Sequence, residues 1–339
     1  MQAMKDKNRI KILNWTAALR KEIIRQKRDD VWGKCLKALF DMHNLVEFSY
    51  DQYIDVYRYH FPIMQASSLL QNYVRRRRMR QIGKVPERWL TYNKQSGEEF
   101  ARMAGAVCPD STYGIRLDDI KPEKDMVVKP MSSSGSKGVF IIRDLDDILS
   151  VEEHVSYSSW AEVKAYLQKG IDKKRFADLF ECQQCIYMDK IQRKPANDLK
   201  FFVFYGEVGA VMEVARYADK TWWWWNADSS KVLAHKDVIP AGLEPCGFTE
   251  KMLQQVKELS LQIPAPFLRI DYLLGEDKLY FVEFSTFQGY GIPTLERLNP
   301  KYDRLFGTMY LQAEMRIVND LLAGKKFETI NRFNKTYDK

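Results

Sequence analysis

The sequence predicts an α+β protein with a helical N-terminal region. Three observations point there: apolar residues recur at three- and four-residue spacing before residue 84, strand-like apolar runs stand at both ends of 126–285, and helical stretches lie between those runs. With 339 residues, 45% of them apolar, the chain can bury two or three small cores, which excludes disorder throughout.

In chain order, Ile10, Leu13, Trp15, Ala18, Leu19 and Ile23 give the first helical pattern, and Val31 to Phe40 continue it. The region closes in YVRRRRMRQ, where Arg75–Arg80 hold five arginines. These either form a solvated helix end or contact phosphate or acidic lipid. From Lys84 onward Pro86, Gly97, Gly105, Pro109, Gly114 and Pro122 punctuate short segments, which sets a boundary near 84–90. Strands are expected at 126–130, 138–143, 179–187, 199–205, 208–216, 267–274 and 279–285, with helices at 144–150, 158–170 and 250–262. An amphipathic helix from Tyr302 to Leu322 closes the fold, and 326–339 is a tail.

A net charge of +8 favours polyanionic partners without naming one. The N-terminus has no apolar run of signal-peptide length, and no segment holds 18 uncharged apolar residues. A soluble cytoplasmic protein with no transmembrane segment is the expectation. The five cysteines (Cys35, Cys108, Cys182, Cys185 and Cys246) are scattered and odd in number, as reduced thiols are. Cys182 and Cys185 form a CxxC inside the apolar run LFECQQCI. With no second Cys/His pair to complete a metal site, strand thiols are favoured over zinc or redox chemistry.

Residues 126–142, MVVKPMSSSGSKGVFII, are two apolar strands joined by a loop of small residues with Gly135 and Gly138. Small side chains let backbone N–H groups converge on an anion, which suits a triphosphate; a hairpin loop without function fits the pattern equally. The GxxxxGK[ST] pattern is absent, and GxGxxG would need a helix where VFII reads as strand. Lys129, ending the first strand, and Lys137, within the loop, supply the cations.

The segment PFLRIDYLLGEDKLYFVEFSTF places two carboxylates in otherwise apolar strands, and buried carboxylates need partners. Pairing Asp271 with Glu283 and Arg269 with Ser285 leaves Ile270–Phe284, Tyr272–Val282 and Leu274–Tyr280 as a wholly apolar face. A slip of one residue mixes the faces. This register needs a five-residue connection or a bulge at Gly275–Leu279. Facing carboxylates repel unless a cation intervenes, so the pair suggests Mg2+, with neutralisation by Arg269 as the alternative. The run DLKFFVFYGEVGAVMEVARY reads as another hairpin, with Lys200 and Arg216 flanking its strands. These cations would stabilise charge on a transferring phosphoryl group. A tight turn at Gly206–Glu207 would instead pair Lys200 with Glu213.

A glycine-bearing strand–loop–strand, a basic hairpin, then Asp and Glu on a C-terminal hairpin is the order of the ATP-grasp superfamily. Within it the chain most resembles the TupA-like branch, associated with teichuronopeptide and other cell-surface polysaccharide biosynthesis. The stretches that carry the resemblance are YNKQSGEEFARMAG at 92–105, VVKPMSSSGSKGV at 127–139, NDLKFFVFYGEV at 197–208, LRIDYLL at 268–274, YFVEFST at 280–286 and NPKYDRLFG at 299–307. The helical region over 1–84 rests on its periodicity and has no equally clear match in the family; the resemblance implies a preceding segment over 85–125, a small subdomain over 126–187 and a large one over 188–325, the two clamping a nucleotide.

It further implies that Lys94 and Lys129 reach nucleotide phosphates under a cover of Ser134, Gly135, Ser136, Lys137 and Gly138. Gln183, Gln184, Cys185 and Ile186 would bind adenine, with glutamine where many relatives have glutamate, and Asp189 would reach ribose. Asp271 and Glu283 match the metal pair. Ser285 stands where a third ligand is usually asparagine, which favours one Mg2+ over two. Lys200, Arg216 and Arg269 would be the catalytic cations. The implied reaction is ADP-forming amide synthesis between a carboxylate, such as a sugar acid, and an amine, through an acyl phosphate. Two rivals remain, a kinase using the same site and a polyanion-binding protein using Arg75–Arg80; on the ligase reading no nucleic-acid partner is expected, and peripheral membrane contact is open to those arginines. Trp222–Trp225 either stack on sugar faces or divide between core and interface.

Overall fold

The computed structural model describes residues 18, 21–23, 25–26, 68–82, 94–133, 136–215, 221–230, 245–276, 278–286 and 300–337. The helices expected around Ile10 and at Val31–Phe40 lie outside the described residues, apart from a few positions near Ile23. Two compact units divide the chain: 1–78 with 300–312, and 79–299 with 313–339. In the first, helix α1 (Leu69–Gln81) meets the start of the helix beginning at Pro300. The Leu70 N–H donates to Asp303 Oδ1 at 3.1 Å, and Arg76 donates to the Tyr310 hydroxyl at 3.4 Å. Arg76 is therefore buried within the arginine run, while Arg75 and Arg78 are exposed.

The second unit follows in chain order: α2 (Lys94–Met103), β1 (Ser111–Ile115), β2 (Met126–Pro130), β3 (Phe140–Asp144), β4 (Asp147–Ser150), β5 (Ser156–Tyr157) and α3 (Trp160–Asp172). Next come β6 (Phe180–Gln184), β7 (Tyr187–Asp189), β8 (Lys194–Pro195), β9 (Asn197–Phe204), β10 (Glu207–Ala215), β11 (Thr221–Trp225), α4 (Glu250–Ser260), β12 (Leu268–Leu274) and β13 (Leu279–Ser285). Helix α5 (Pro300–Leu322), which enters this unit at Ala313, and α6 (Glu328–Tyr337) complete the list, the latter in the stretch expected to be a tail. Among the described residues no helix is long and apolar enough to cross a membrane.

Two antiparallel sheets organise this unit: a small sheet of six short strands, ordered β1-β6-β2-β3-β4-β5, and a large sheet of five mostly longer strands, ordered β11-β10-β9-β12-β13. Helix α3 starts at Ser159, whose hydroxyl caps the Glu162 N–H. It buries Val163 and Leu167 against Val128, Phe140, Ile148 and Phe180 of the first sheet. On the second sheet, Leu199, Phe201, Val203, Ile270 and Tyr272 face α2, α4 and α6 through Phe100, Leu253, Val256 and Phe333. Alternation along β9 and β12 then sends Lys200, Arg269 and Asp271 to the opposite face.

Four expectations are corrected. Residues 144–150, expected to be helical, make the β3–β4 hairpin, because pairing Ile142 with Ile148 buries both in the small-sheet core. The β9–β10 turn is Tyr205–Gly206, with φ of 42° and 88°, the two left-handed positions of a tight hairpin turn. That turn and a bulge at Gly209 place Lys200 opposite Met212 and Glu213 opposite Leu199, so the Lys200–Glu213 pair does not form. Glu213 instead accepts from Asn197 Nδ2 at 2.6 Å and from the Cys246 and Gly247 N–H groups.

On the β12–β13 hairpin, Arg269–Ser285, Ile270–Phe284 and Asp271–Glu283 pair as expected, but Tyr272 then pairs with Phe281 and Leu274 with Leu279. The connection is Gly275–Lys278 and the bulge sits at Val282. Strict alternation would put Phe281 on the carboxylate face. The extra residue keeps Phe281 in the helix-side core, its ring 5.9 Å from Tyr272 and 4.6 Å from Phe284, and turns both Val282 and Glu283 the other way.

Phe281 is fully buried, and truncating it empties the centre of that core. Phe281→Ala should lose about 3–5 kcal/mol in urea unfolding; a loss below about 1 kcal/mol would contradict this packing.

Candidate active site

Between the two sheets lies a cleft of about 270 Å³, just below the usual range for ligand sites. Its apolar walls are Val127, Val139, Ile141 and Val151 from the small sheet, Ile186 beyond β6, and Leu273 and Val282 from the large sheet. Lys94, Lys129, Asp198, Lys200, Asp271 and Glu283 line its polar part. A slot with apolar sides and clustered charges suits a ligand carrying a flat ring and a polyanion.

Asp271 is the pivot of the polar part. It is 2% exposed, and Arg269 grips it with Nε at 2.7 Å from Oδ1 and Nη2 at 2.9 Å from Oδ2. Lys200, its neighbour across the β9–β12 ladder, donates to Oδ2 as well and lies 3.6 Å from Asp198. Burial pushes the Asp271 carboxyl up, but the charges and hydrogen bonds of Arg269 and Lys200 outweigh it and hold the group below the ordinary carboxylate range. Arg269 also reaches Glu283 Oε1 at 3.4 Å, so one guanidinium bridges both carboxylates.

That bridge supplies the neutralisation that facing carboxylates need, and the donor set still bears on a metal. Among the described residues no three His, Cys, Asp or Glu side chains group as a metal cage. Two hard carboxylate donors beside several lysines fit Mg2+ that arrives with phosphate ligands of its own, and do not fit a site made of protein alone.

Lys129 crosses the cleft floor from the small sheet. Its ammonium lies 2.8 Å from Glu181 Oε1 and 3.1 Å from Gln183 Oε1. Lys94, at the start of α2, makes no hydrogen bond with a described residue. Burial and then the Lys129 charge pull its pKa below the ordinary lysine value, against the smaller opposing pull of Glu283 and Glu181. An incoming polyanion would relieve the repulsion between these two ammonium groups.

Of the residues singled out in the sequence, the cleft gathers Lys94, Lys129, Ser136, Gln183, Cys185, Ile186, Lys200, Asp271 and Glu283. Arg269 stands behind it, in contact with Asp271 and Glu283, and Ser285 pairs with Arg269 across the hairpin. Lys137 and Gln184 are exposed and outside the lining. Asp189 Oδ1 accepts from the Gln192 N–H at 2.9 Å, away from the lining. Gly138 is buried below the loop, where φ is +69° and an added Cβ would come within 3.0 Å of Phe176 and Pro130. Ser134, Gly135 and Arg216 lie outside the described residues.

Sequence reasoning missed Asp198 and Glu181. Each sits two residues from a residue it named, on the same strand face, so alternation was the available signal. Cys182 and Cys185 are free thiols whose pKa values burial pushes up to about 11, which suits packing. Strand β11 buries Trp223 and Trp224, leaving Trp222 and Trp225 half-buried. At most two of the four indoles offer a face to a ligand.

Residues 76–311, more than half of the chain, match the family model described as TupA-like ATPgrasp. No curated protein matches. Solved structures similar to the chain include a D-alanine–D-alanine ligase from Bacillus anthracis, at 15% identity over 67% of this chain and 68% of that one, with a TM-score of 0.39. The ATP-grasp ligase PsnB, complexed with a phosphomimetic variant of its minimal precursor, Mg and ADP, is similar at 10% identity over 78% and 72%, with a TM-score of 0.39. The macrocyclase MdnC bound with precursor peptide MdnA, from Microcystis aeruginosa MRC, is similar at 15% identity over 68% and 60%, with a TM-score of 0.37.

Because the folded-state pKa of Asp271 is depressed, its contribution to stability is full above the unfolded-state pKa of about 3.9 and is lost as pH falls through the folded value. Asp271→Asn should cost about 3–5 kcal/mol at pH 7, since it takes from two buried cations the anion they share and leaves each only a longer contact, Arg269 to Glu283 and Lys200 to Asp198. Below about pH 4 the gap to the wild type should narrow. Urea unfolding of both proteins between pH 7 and pH 3 measures this, and a gap that is constant with pH would contradict it.

Proposed function

Because the chain belongs to the TupA-like ATP-grasp family, we propose that it is an ATP-dependent ligase that joins a carboxylate to an amine with release of ADP and phosphate. ATP-grasp enzymes use ATP and Mg2+, and the observation that carries the proposal for this chain is one cleft holding Lys94, Lys129, Lys200, Asp271 and Glu283. Adenine would lie between the apolar walls. The Ile186 N–H donates to no described residue and belongs to a lining residue, which supports it as a donor to the base; the Gln184 and Cys185 N–H groups are already given to Asp110 O and Asp125 O at 2.8 Å.

Lys94 and Lys129 would hold phosphate oxygens, with Ser136 and the loop around it as cover. Asp271 and Glu283 would hold Mg2+, which when bound neutralises phosphate charge and orients the terminal phosphoryl group. Lys200, Arg269 and, by the resemblance, Arg216 would stabilise charge as a substrate carboxylate oxygen attacks the γ-phosphorus and ADP leaves. The amine then attacks the acyl carbon, phosphate departs with the bond electrons, and the proton the amine loses passes to the departing phosphate or to solvent. No protein nucleophile is needed, so the chain contributes position and charge. A sugar acid of cell-surface polysaccharide synthesis is the proposed carboxylate, by family analogy alone. Ser285, where an asparagine ligand is usual, leaves room for a second reading in which phosphoryl transfer is the final step.

A screen of uronic acids, their nucleotide-linked forms and amines with MgATP tests this. Expected are ADP, phosphate and an amide, with Asp271→Asn and Glu283→Gln at least about 100-fold slower. A phosphorylated product without amide would support the second reading, and undiminished turnover in both variants would remove the metal assignment.

A further inference from the structure

Glu181 is a buried charge that the roles above leave unused. It is 1% exposed and stands directly across the β2–β6 ladder from Lys129, which it meets at 2.8 Å through Oε1. Gln183, two residues on and facing the same way, accepts from the same ammonium at 3.1 Å. The Gln183 amide is held in that sense because its Nε2 donates to Glu181 Oε1 at 3.1 Å and to Ser111 Oγ at 3.0 Å. An ammonium has three N–H donors. Glu181 and Gln183 take two, leaving a third on a residue that lines the cleft.

Stability alone explains this arrangement poorly. Glu181 Oε2 is buried with no hydrogen-bond partner among the described residues, a cost that an apolar pair at this place would avoid. Holding the ammonium in one place repays that cost only if its place matters. We propose that Glu181 is a positioning residue for Lys129, fixing the ammonium directly and through the Gln183 amide so that its remaining N–H addresses a nucleotide phosphate. The inference rests on the cleft being the ATP site.

Calorimetric titration of MgATP and of adenosine into the wild type, Glu181→Gln, Lys129→Met and the double variant tests it. Glu181→Gln should weaken MgATP at least about tenfold while changing adenosine less than about twofold. In the Lys129→Met background it should add nothing to the loss. Equal weakening of both ligands, or the same loss of MgATP in both backgrounds, would assign Glu181 a structural role and overturn the proposal. Should Glu181→Gln fail to fold, Glu181→Asp, which keeps the charge and shortens its reach, should show the same split between ligands, and its absence counts equally against the proposal. A wild type that binds neither ligand removes the ATP-site reading and this proposal with it. Wild-type affinity for MgATP in Glu181→Gln overturns this proposal alone.

Discussion

The large-sheet wall of the cleft is arranged around one buried carboxylate. Asp271 is enclosed by the Arg269 guanidinium and the Lys200 ammonium, with Glu283 across the hairpin. A charge buried this deeply is tolerated only when paired and hydrogen-bonded. The pairing in turn requires three strands in one register: β9 to deliver Lys200, β12 to deliver Arg269 and Asp271, and β13 to deliver Glu283. That register is set from behind, where Phe201, Ile270, Tyr272 and Phe284 form the helix-covered core. A slip of one residue on any of these strands would bury charges among helices and expose aromatics to the cleft.

The same logic governs the smaller sheet with a different solution. There the lysine comes first, and its acid and amide partners stand on the adjacent strand, so the Lys129 ammonium is held from below by Glu181 and Gln183. The large sheet presents an acid held by cations, and the small sheet a cation held by an acid. Facing each other, they make opposite walls of one pocket, the first suited to a metal and the second to phosphate.

Much of this was legible in the sequence, for a physical reason. Carboxylates within apolar strands are rare enough to stand out, and period-two alternation selected the Asp271–Glu283 pairing that the hairpin adopts. What alternation cannot show is where it breaks. The bulge at Val282 shifts the count by one residue on β12–β13, and the turn at Tyr205–Gly206 together with the bulge at Gly209 shifts it by one on β9–β10, so Tyr272–Val282 and Lys200–Glu213 do not pair. The run Asp144–Ser150 was too short to separate helix from strand by periodicity, and only pairing with β3 decides it. Glu181 carried a weak signal, because a single carboxylate in a strand is read only once its cross-strand lysine is known.

The central claim is that Asp271 and Glu283 bind nucleotide through a metal. The most direct measurement is the thermal shift produced by ATP with and without Mg2+, in the wild type and in Glu283→Gln, a variant whose altered side chain is partly exposed and should be tolerated by the fold. The wild type should be stabilised more by ATP with Mg2+ than by ATP alone, and Glu283→Gln should lose that difference while keeping the metal-free shift. Equal shifts with and without Mg2+ in the wild type, or an undiminished Mg2+ effect in Glu283→Gln, would contradict the account.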